Sequence, residues 1–132
     1  MESSFTIRLR LRARVSPSED RARVISAARN IIGDCDCQLR EDEGEIVVLS
    51  EDARCLQRVR DQLRDRNVRD AARRLILRQR VGDRVNMLFN RQAAFAGVIS
   101  LCTSAMESPL GPIAMEVECG RADELIDWFT AH

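Results

Sequence analysis

The apolar and polar positions of the chain follow two periods, and the points where one gives way to the other divide it into elements. From Phe5 to Val15 the alternation is strict. Phe5, Ile7, Leu9, Leu11, Ala13 and Val15 face one way, while Thr6, Arg8, Arg10, Arg12 and Arg14 face the other. Period two marks a strand with one buried face. Ala22, Ile25, Ala28 and Ile32 then recur at helical spacing, flanked by Val24 and Ile31. Ser16-Pro17-Ser18-Glu19 predicts the start of this helix: Ser16 caps, Pro17 takes the first helical position and Glu19 closes a capping box. Gly33 predicts its end. Residues 37–40 and 45–49 predict a hairpin around the acidic turn Glu41-Asp42-Glu43-Gly44. Its second arm, Ile46-Val47-Val48-Leu49, is apolar and largely β-branched.

Ser50-Glu51-Asp52 opens a second helix, with a cap and two acids at the positive end of the dipole, and Leu56, Val59 and Leu63 continue it. The period slips at Asn67, which predicts a break and a third helix from about residue 68 to 80. Its inner face is Val68, Ala71, Ala72, Leu75 and Ile76. Gly82-Asp83 reads as a turn, and Val85, Met87 and Phe89 as the inner side of a strand. Asn90 caps a short helical turn through Phe95, ended by Gly97, and Val98 to Cys102 reads as another strand. Ser108-Pro109-Leu110-Gly111 suits a turn, and Pro112 pushes Gly111 out of the helical region. A last strand, Ile113 to Cys119, precedes an amphipathic helix from Arg121 to Thr130, with Leu125, Ile126 and Phe129 on one side and Trp128 at its edge.

These elements predict one α+β domain over residues 1–132, in two layers, with a mixed or antiparallel sheet and helices on one face. Four arginines aligned on the first strand repel one another unless acids or phosphates lie opposite. Glu116 and Glu118, on the polar face of the last strand, predict that the two strands share a sheet.

The net charge is zero, but it is unevenly distributed. Residues 1–15, 16–52, 53–84 and 85–132 carry +3, −6, +7 and −4. The neutral total argues against indiscriminate polyanion binding, while the +7 block still builds a local positive field. All 21 basic residues are arginine, so the chain has neither a phosphate-loop lysine nor a Schiff-base lysine. Tyr is absent, and the one histidine is His132. No Ser-His or Cys-His pair presents itself, and the protein is read as non-catalytic and without a cofactor. The N-terminal stretch carries Arg8, Arg10, Arg12 and Arg14 and no long apolar block, so neither a signal peptide nor a membrane span is expected. A cytoplasmic protein with reduced thiols follows as the expectation for its five cysteines. Cys35-Asp36-Cys37 lacks zinc-knuckle spacing, and Cys55, Cys102 and Cys119 fall at apolar positions as small core residues. Under reducing conditions neither a disulfide nor a metal is expected.

Arg66, Arg69, Arg73 and Arg80 recur at roughly helical spacing on one side of the third helix, and Asn90-Arg91-Gln92 follows the next strand. These seven are the candidate RNA-binding residues: the arginines for phosphates, the amides and Arg91 for register or base edges. Phe5, Phe89 and Phe95 belong to core positions, which favours recognition of shape and backbone over stacking of bases.

Arg69-Asp70-x-Ala72-Arg73, Asn90-Arg91-Gln92-Ala93-Ala94, Pro109-Leu110-Gly111-Pro112-Ile113 and Leu125-Ile126-Asp127-Trp128 together resemble an archaeal family, uncharacterised protein family two-hundred-and-one. The similarity runs from the first strand to the last helix, and the family usually has Lys where this chain has Arg91. The resemblance implies an archaeal, cytoplasmic protein with a fold similar to large-subunit ribosomal protein five, predicted to bind RNA or to accompany the exosome. It implies no catalytic site. Two readings stay open: an RNA-binding protein accessory to RNA processing, or a protein-interaction subunit or homodimer that contacts no RNA, to which the alternating charge blocks are suited.

Overall fold

A computed structural model describes residues 5–65, 67–102 and 110–131. Its strands are β1 (Arg8–Arg14), β2 (Gln38–Asp42), β3 (Glu45–Ser50), β4 (Arg84–Phe89) and β5 (Ile113–Glu118). They form a five-stranded antiparallel sheet in the order β2-β3-β1-β5-β4. The helices are α1 (Arg21–Ile32), α2 (Gln57–Asp65), α3 (Arg69–Gln79), α4 (Arg91–Phe95) and α5 (Ala122–Thr130), with a 3-10 turn, Ala53–Leu56, leading into α2. The α+β expectation holds.

Alternation in each strand decides which side is covered. Leu9, Leu11 and Ala13 of β1, Ile46 and Val48 of β3, Val85, Met87 and Phe89 of β4, and Ile113, Met115 and Val117 of β5 are all buried. They join Val24, Ala27, Ile31, Leu56, Val59, Leu63, Ile76, Leu125, Ile126 and Phe129 from the helical layer in one core. The opposite side of the sheet carries exposed or half-buried residues along every strand. β1 sits at the centre of the sheet, paired with both β3 and β5, and Arg8 lies opposite Glu118 and Arg10 opposite Glu116. The first and last strands therefore share one sheet, as the charges predict.

Several local expectations are corrected. α1 begins at Arg21 rather than at Pro17, and its cap is Asp20, whose carboxylate accepts from the Ala22 N–H at 3.0 Å. Half of the capping box forms: the Ser16 N–H donates to Glu19 Oε1 at 2.9 Å, while the Glu19 N–H donates to the Ser16 carbonyl and the Ser16 hydroxyl meets that of Ser18. That contact builds a turn ahead of the helix, because the Glu19 carboxylate is also held by a buried arginine described below. The later start changes the inner face: Val24, Ala27, Ala28, Ile31 and Ile32 are buried, while Ala22 is exposed. Val98 to Cys102 is no full strand. It meets β4 through an isolated Phe89–Leu101 bridge, with the Asn90 N–H donating to the Ser100 carbonyl and the Cys102 N–H to that of Leu88. Ser108 and Pro109 of the expected turn lie outside the described residues, and Gly111 has φ +86°. The break between α2 and α3 is where the period slips, with Asn67 at φ +55°. The β2–β3 turn places Glu43 and Gly44 at φ +34° and +76°, the two left-handed positions of a two-residue hairpin loop.

The cysteine expectation is overturned at one pair. Cys35, just after α1, and Cys55, in the 3-10 turn, form a disulfide with an S–S distance of 1.98 Å. Cys37 is exposed, and Cys102 and Cys119 are buried. The expectation rested on a reducing compartment and on apolar positions, whereas the two sulfurs meet through tertiary packing of α1 against the 3-10 turn, which no short motif encodes.

Beside the disulfide, Asp52 caps the 3-10 turn. Its carboxylate accepts from the N–H groups of Arg54 and Asp36, at 3.0 and 2.9 Å, and from Arg54 Nε. The Arg54 side chain holds the Asp52 carboxyl well below the usual carboxylate range; burial opposes it, and the backbone donors of Asp36 and Arg54 add to the lowering. A depressed folded-state pKa stabilises the fold fully above the unfolded value of 3.8, and this contribution is lost as pH falls below it. Asp52→Ala is expected to lower stability at pH 7 by about 1 kcal/mol and to make unfolding less sensitive to acid below pH 4. Denaturant melts of both proteins across that range measure the difference.

Candidate nucleic-acid interface

Helix α3 lies along α5, whose outer side carries acids, and this decides what its arginines do. Arg73 Nη1 donates to Asp127 Oδ1 at 2.7 Å and to Thr130 Oγ1 at 3.1 Å. The Arg80 guanidinium pairs with Asp123, and its Nε donates to the Gly82 carbonyl at 2.8 Å. Arg69 Nη1 donates to the Ala131 carbonyl at 3.1 Å, and its Nε is buried with no partner among the described residues. Arg66 lies outside the described residues. Three of the four candidate helix arginines thus clasp α5 or an adjoining turn, and part of the +7 block is neutralised by the −4 block. Exposed pairs of this kind contribute about 0–1 kcal/mol each, so their main effect is to orient guanidinium groups along the molecule rather than away from it.

The pentapeptide is divided between structure and surface. Asn90 caps α4, its Oδ1 accepting from the Ala93 N–H at 2.9 Å. Gln92 is exposed. Arg91, expected at an RNA surface, is instead wholly buried at 0% exposure. Its Nη1 donates to the Arg14 carbonyl at 2.6 Å and lies 3.1 Å from both Glu19 oxygens, while its Nε donates to the Gly111 carbonyl at 3.0 Å. A guanidinium in a fixed fork can serve two backbone carbonyls and a carboxylate at once. It ties the end of β1, the turn before α1 and the loop before β5 to the start of α4. The expectation failed because polarity in a loop was read as exposure, and nothing local in the sequence distinguishes a buried arginine from a surface one.

The structure assembles a different basic surface on the uncovered side of the sheet. Arg8, Arg10, Arg12 and Arg14 are exposed along β1, with Arg40 on β2 and Arg84 on β4 to either side. Alternate residues on a strand lie about 6.8 Å apart, twice the rise per residue, so the β1 arginines form a regular ladder. The expected neutralisation by β5 is incomplete. Glu116 pairs with Arg84 at 3.4 Å, and among the described residues Arg8, Arg10, Arg12, Arg14 and Arg40 have no ion pair. The signal was present in the strict alternation from Phe5 to Val15. Counting acids against arginines across the register, two against four on β5 and β1, would have marked this face as the candidate.

Among the described residues no group of three or more His, Cys, Asp or Glu is placed to hold a metal ion. None of their helices is long and apolar enough to cross a membrane.

No family model matches the chain. Individual relatives do. A UPF0201 protein of Pyrobaculum aerophilum is 39% identical over 117 residues, spanning 86% of this chain and 82% of the relative. The chain belongs to the UPF0201 family. Its relative in Sulfolobus acidocaldarius is 33% identical over 126 residues, covering 93% and 86% of the two chains. Among solved structures, an uncharacterised UPF0201 protein is 28% identical, with a TM-score of 0.78 over 95% of this chain and 94% of the other. The UPF0201 protein of Methanococcus jannaschii reaches a TM-score of 0.79 at 20% identity, over 95% and 93%. The resemblance drawn from the four motifs is correct at the level of this archaeal family.

Proposed function

We propose that this UPF0201 protein is a non-catalytic, cytoplasmic RNA-binding module, accessory to RNA processing, and that its contact surface is the open side of the sheet. The observation that carries the reading is the ladder of β1 arginines with Arg40, left without ion pairs among the described residues on a face that none of the described helices covers. An anionic polymer supplies the missing counter-charge at repeated intervals, and a guanidinium fork suits phosphate. The neutral net charge keeps such binding modest and confined to this face.

Salt dependence of RNA binding tests this. Three or four phosphate contacts give a slope of log affinity against log salt of roughly −2 to −4. Arg10→Ala and Arg12→Ala are each expected to flatten it by about one unit with the fold intact. Arg73→Ala is expected to leave it unchanged, since that guanidinium is engaged by Asp127. A slope that follows Arg73 and ignores Arg10 and Arg12 would return the site to α3. Absence of saturable binding at low salt would rule out RNA altogether.

A second reading, protein docking or homodimerisation, is favoured by Val47, Leu49, Leu88 and Ala114. These are apolar, half-buried and interspersed with Glu45 and Glu116 on the same face. A partner that stays bound after nuclease digestion would select it.

A further inference from the structure

The two halves of the open face are not alike. Toward β5 and β4, Glu116 lies between Arg10 and Asn86, and Glu118 between Arg8 and Arg84, so acids interrupt the positive charge. Toward β3 and β2 the register builds a slot. Leu49 lies between Arg10 and Gln38, and Val47 between Arg12 and Arg40. At the end of the slot Glu45 lies between Arg14 and Asp42. The result is an apolar strip on β3, walled by a guanidinium ladder on β1 and by Arg40 and Gln38 on β2. The walls stand about 9.6 Å apart, two interstrand spacings, and the part of the slot bounded by Arg10, Arg12 and Arg40 over Val47 and Leu49, with Glu41, Asp42 and Glu45 at its acidic end, measures about 380 Å³.

Resting on the RNA-binding reading above, we propose that this slot seats single-stranded RNA, with an unpaired base on Val47 and Leu49 and the flanking phosphates on Arg10, Arg12 and Arg40. A duplex turns its bases inward and offers only backbone, so it satisfies the arginines and leaves the strip uncovered. An unpaired base, splayed from its strand, covers it. Guanidinium planes on the walls can lie against the base. Asp42 and Glu45 repel phosphate and accept hydrogen bonds, so they close the seat at one end and present acceptors to a ribose 2′-hydroxyl or a base amine. An acidic protein segment fits less well: it would leave the strip uncovered and meet Asp42 and Glu45 with like charge.

The test uses the full chain and four probes at two or more salt concentrations: an oligouridylate strand, an RNA duplex of equal length, an abasic ribose-phosphate strand and polyglutamate. The oligouridylate is expected to bind tightest. The abasic strand is expected to bind about five- to tenfold more weakly with the same salt slope, an aliphatic floor standing at the low end of base-stacking contacts. Leu49→Ser is expected to erase that difference, and Arg12→Ala to flatten the slope for both strands. If Leu49→Ser disturbs the fold by circular dichroism, the abasic comparison on the unaltered protein decides alone. Equal affinity for duplex, abasic strand or polyglutamate overturns the seat and leaves the RNA-binding reading to its own test. Failure of every RNA probe to bind at low salt overturns both.

Discussion

Arg91→Ala is expected to lower folding stability by about 3–5 kcal/mol, the usual consequence of removing one partner from a buried ion pair. At 0% exposure, Arg91 holds Glu19, whose side chain is only 9% exposed, and donates to the carbonyls of Arg14 and Gly111. The truncation leaves a buried carboxylate without its guanidinium and two carbonyls without donors, together with the space of a large side chain. Every segment so linked loses its tie at once, so the loss reaches the central strand of the sheet. Arg91→Lys keeps the charge but not the fork. One ammonium cannot hold the geometry of Nε and Nη1 together, so a smaller loss is expected. Urea denaturation of the three proteins measures the series. An unchanged midpoint for Arg91→Ala would show that the contacts contribute nothing to stability. A salt slope of RNA binding that changes while the variant remains folded would restore Arg91 to the interface.

Reduction of the Cys35–Cys55 bond is expected to destabilise the protein by about 3 kcal/mol, from the loop entropy released in the unfolded chain. The two cysteines are 20 residues apart, and the loop they close contains the β2–β3 hairpin. Cys35→Ser isolates the effect better than Cys55→Ser, because Cys55 is fully buried with its Sγ 3.3 Å from Ser50 Oγ, so a change there also alters core contacts. Reductant should lower the denaturation midpoint of the unaltered protein and leave that of Cys35→Ser where it was. A midpoint indifferent to reductant in both would mean that the thiols are not joined.

These two contacts also mark where reading the sequence stopped. Strands and helices were legible because period two and period 3.6 depend only on which face is buried, and the burial of Leu9, Leu11 and Ala13 or of Val59 and Leu63 bears that out. The pairing of β1 with β5 was legible from the opposite charges on the two strands, although Glu116 pairs with Arg84 and leaves the β1 arginines without an ion pair among the described residues. Arg91 and the disulfide were not legible. Each depends on a third dimension in which residues distant in sequence meet, and polarity or spacing along the chain carries no record of it. The α3 arginines were misleading for a related reason: their counter-charges, Asp123 and Asp127, sit on a helix far along the chain. The β1 ladder was visible from the start, but only the register showed how few acids face it.

The strand order has a consequence for the making of the molecule. β1 is central, yet one of its two neighbours, β5, is encoded near the other end of the sequence, with Arg8 matched to Glu118. Until β5 emerges, β1 can pair with β3 alone, and β4 has among the described residues only isolated bridges, such as that to Leu101. At ordinary elongation rates this leaves an open apolar edge on the growing chain for roughly 5–20 s. Topology of this kind, with its closing contact between distant segments, folds slowly. The sheet therefore completes only once β5 has been made, and a chain truncated before Ile113 would leave β1 and β4 each with an unpaired edge.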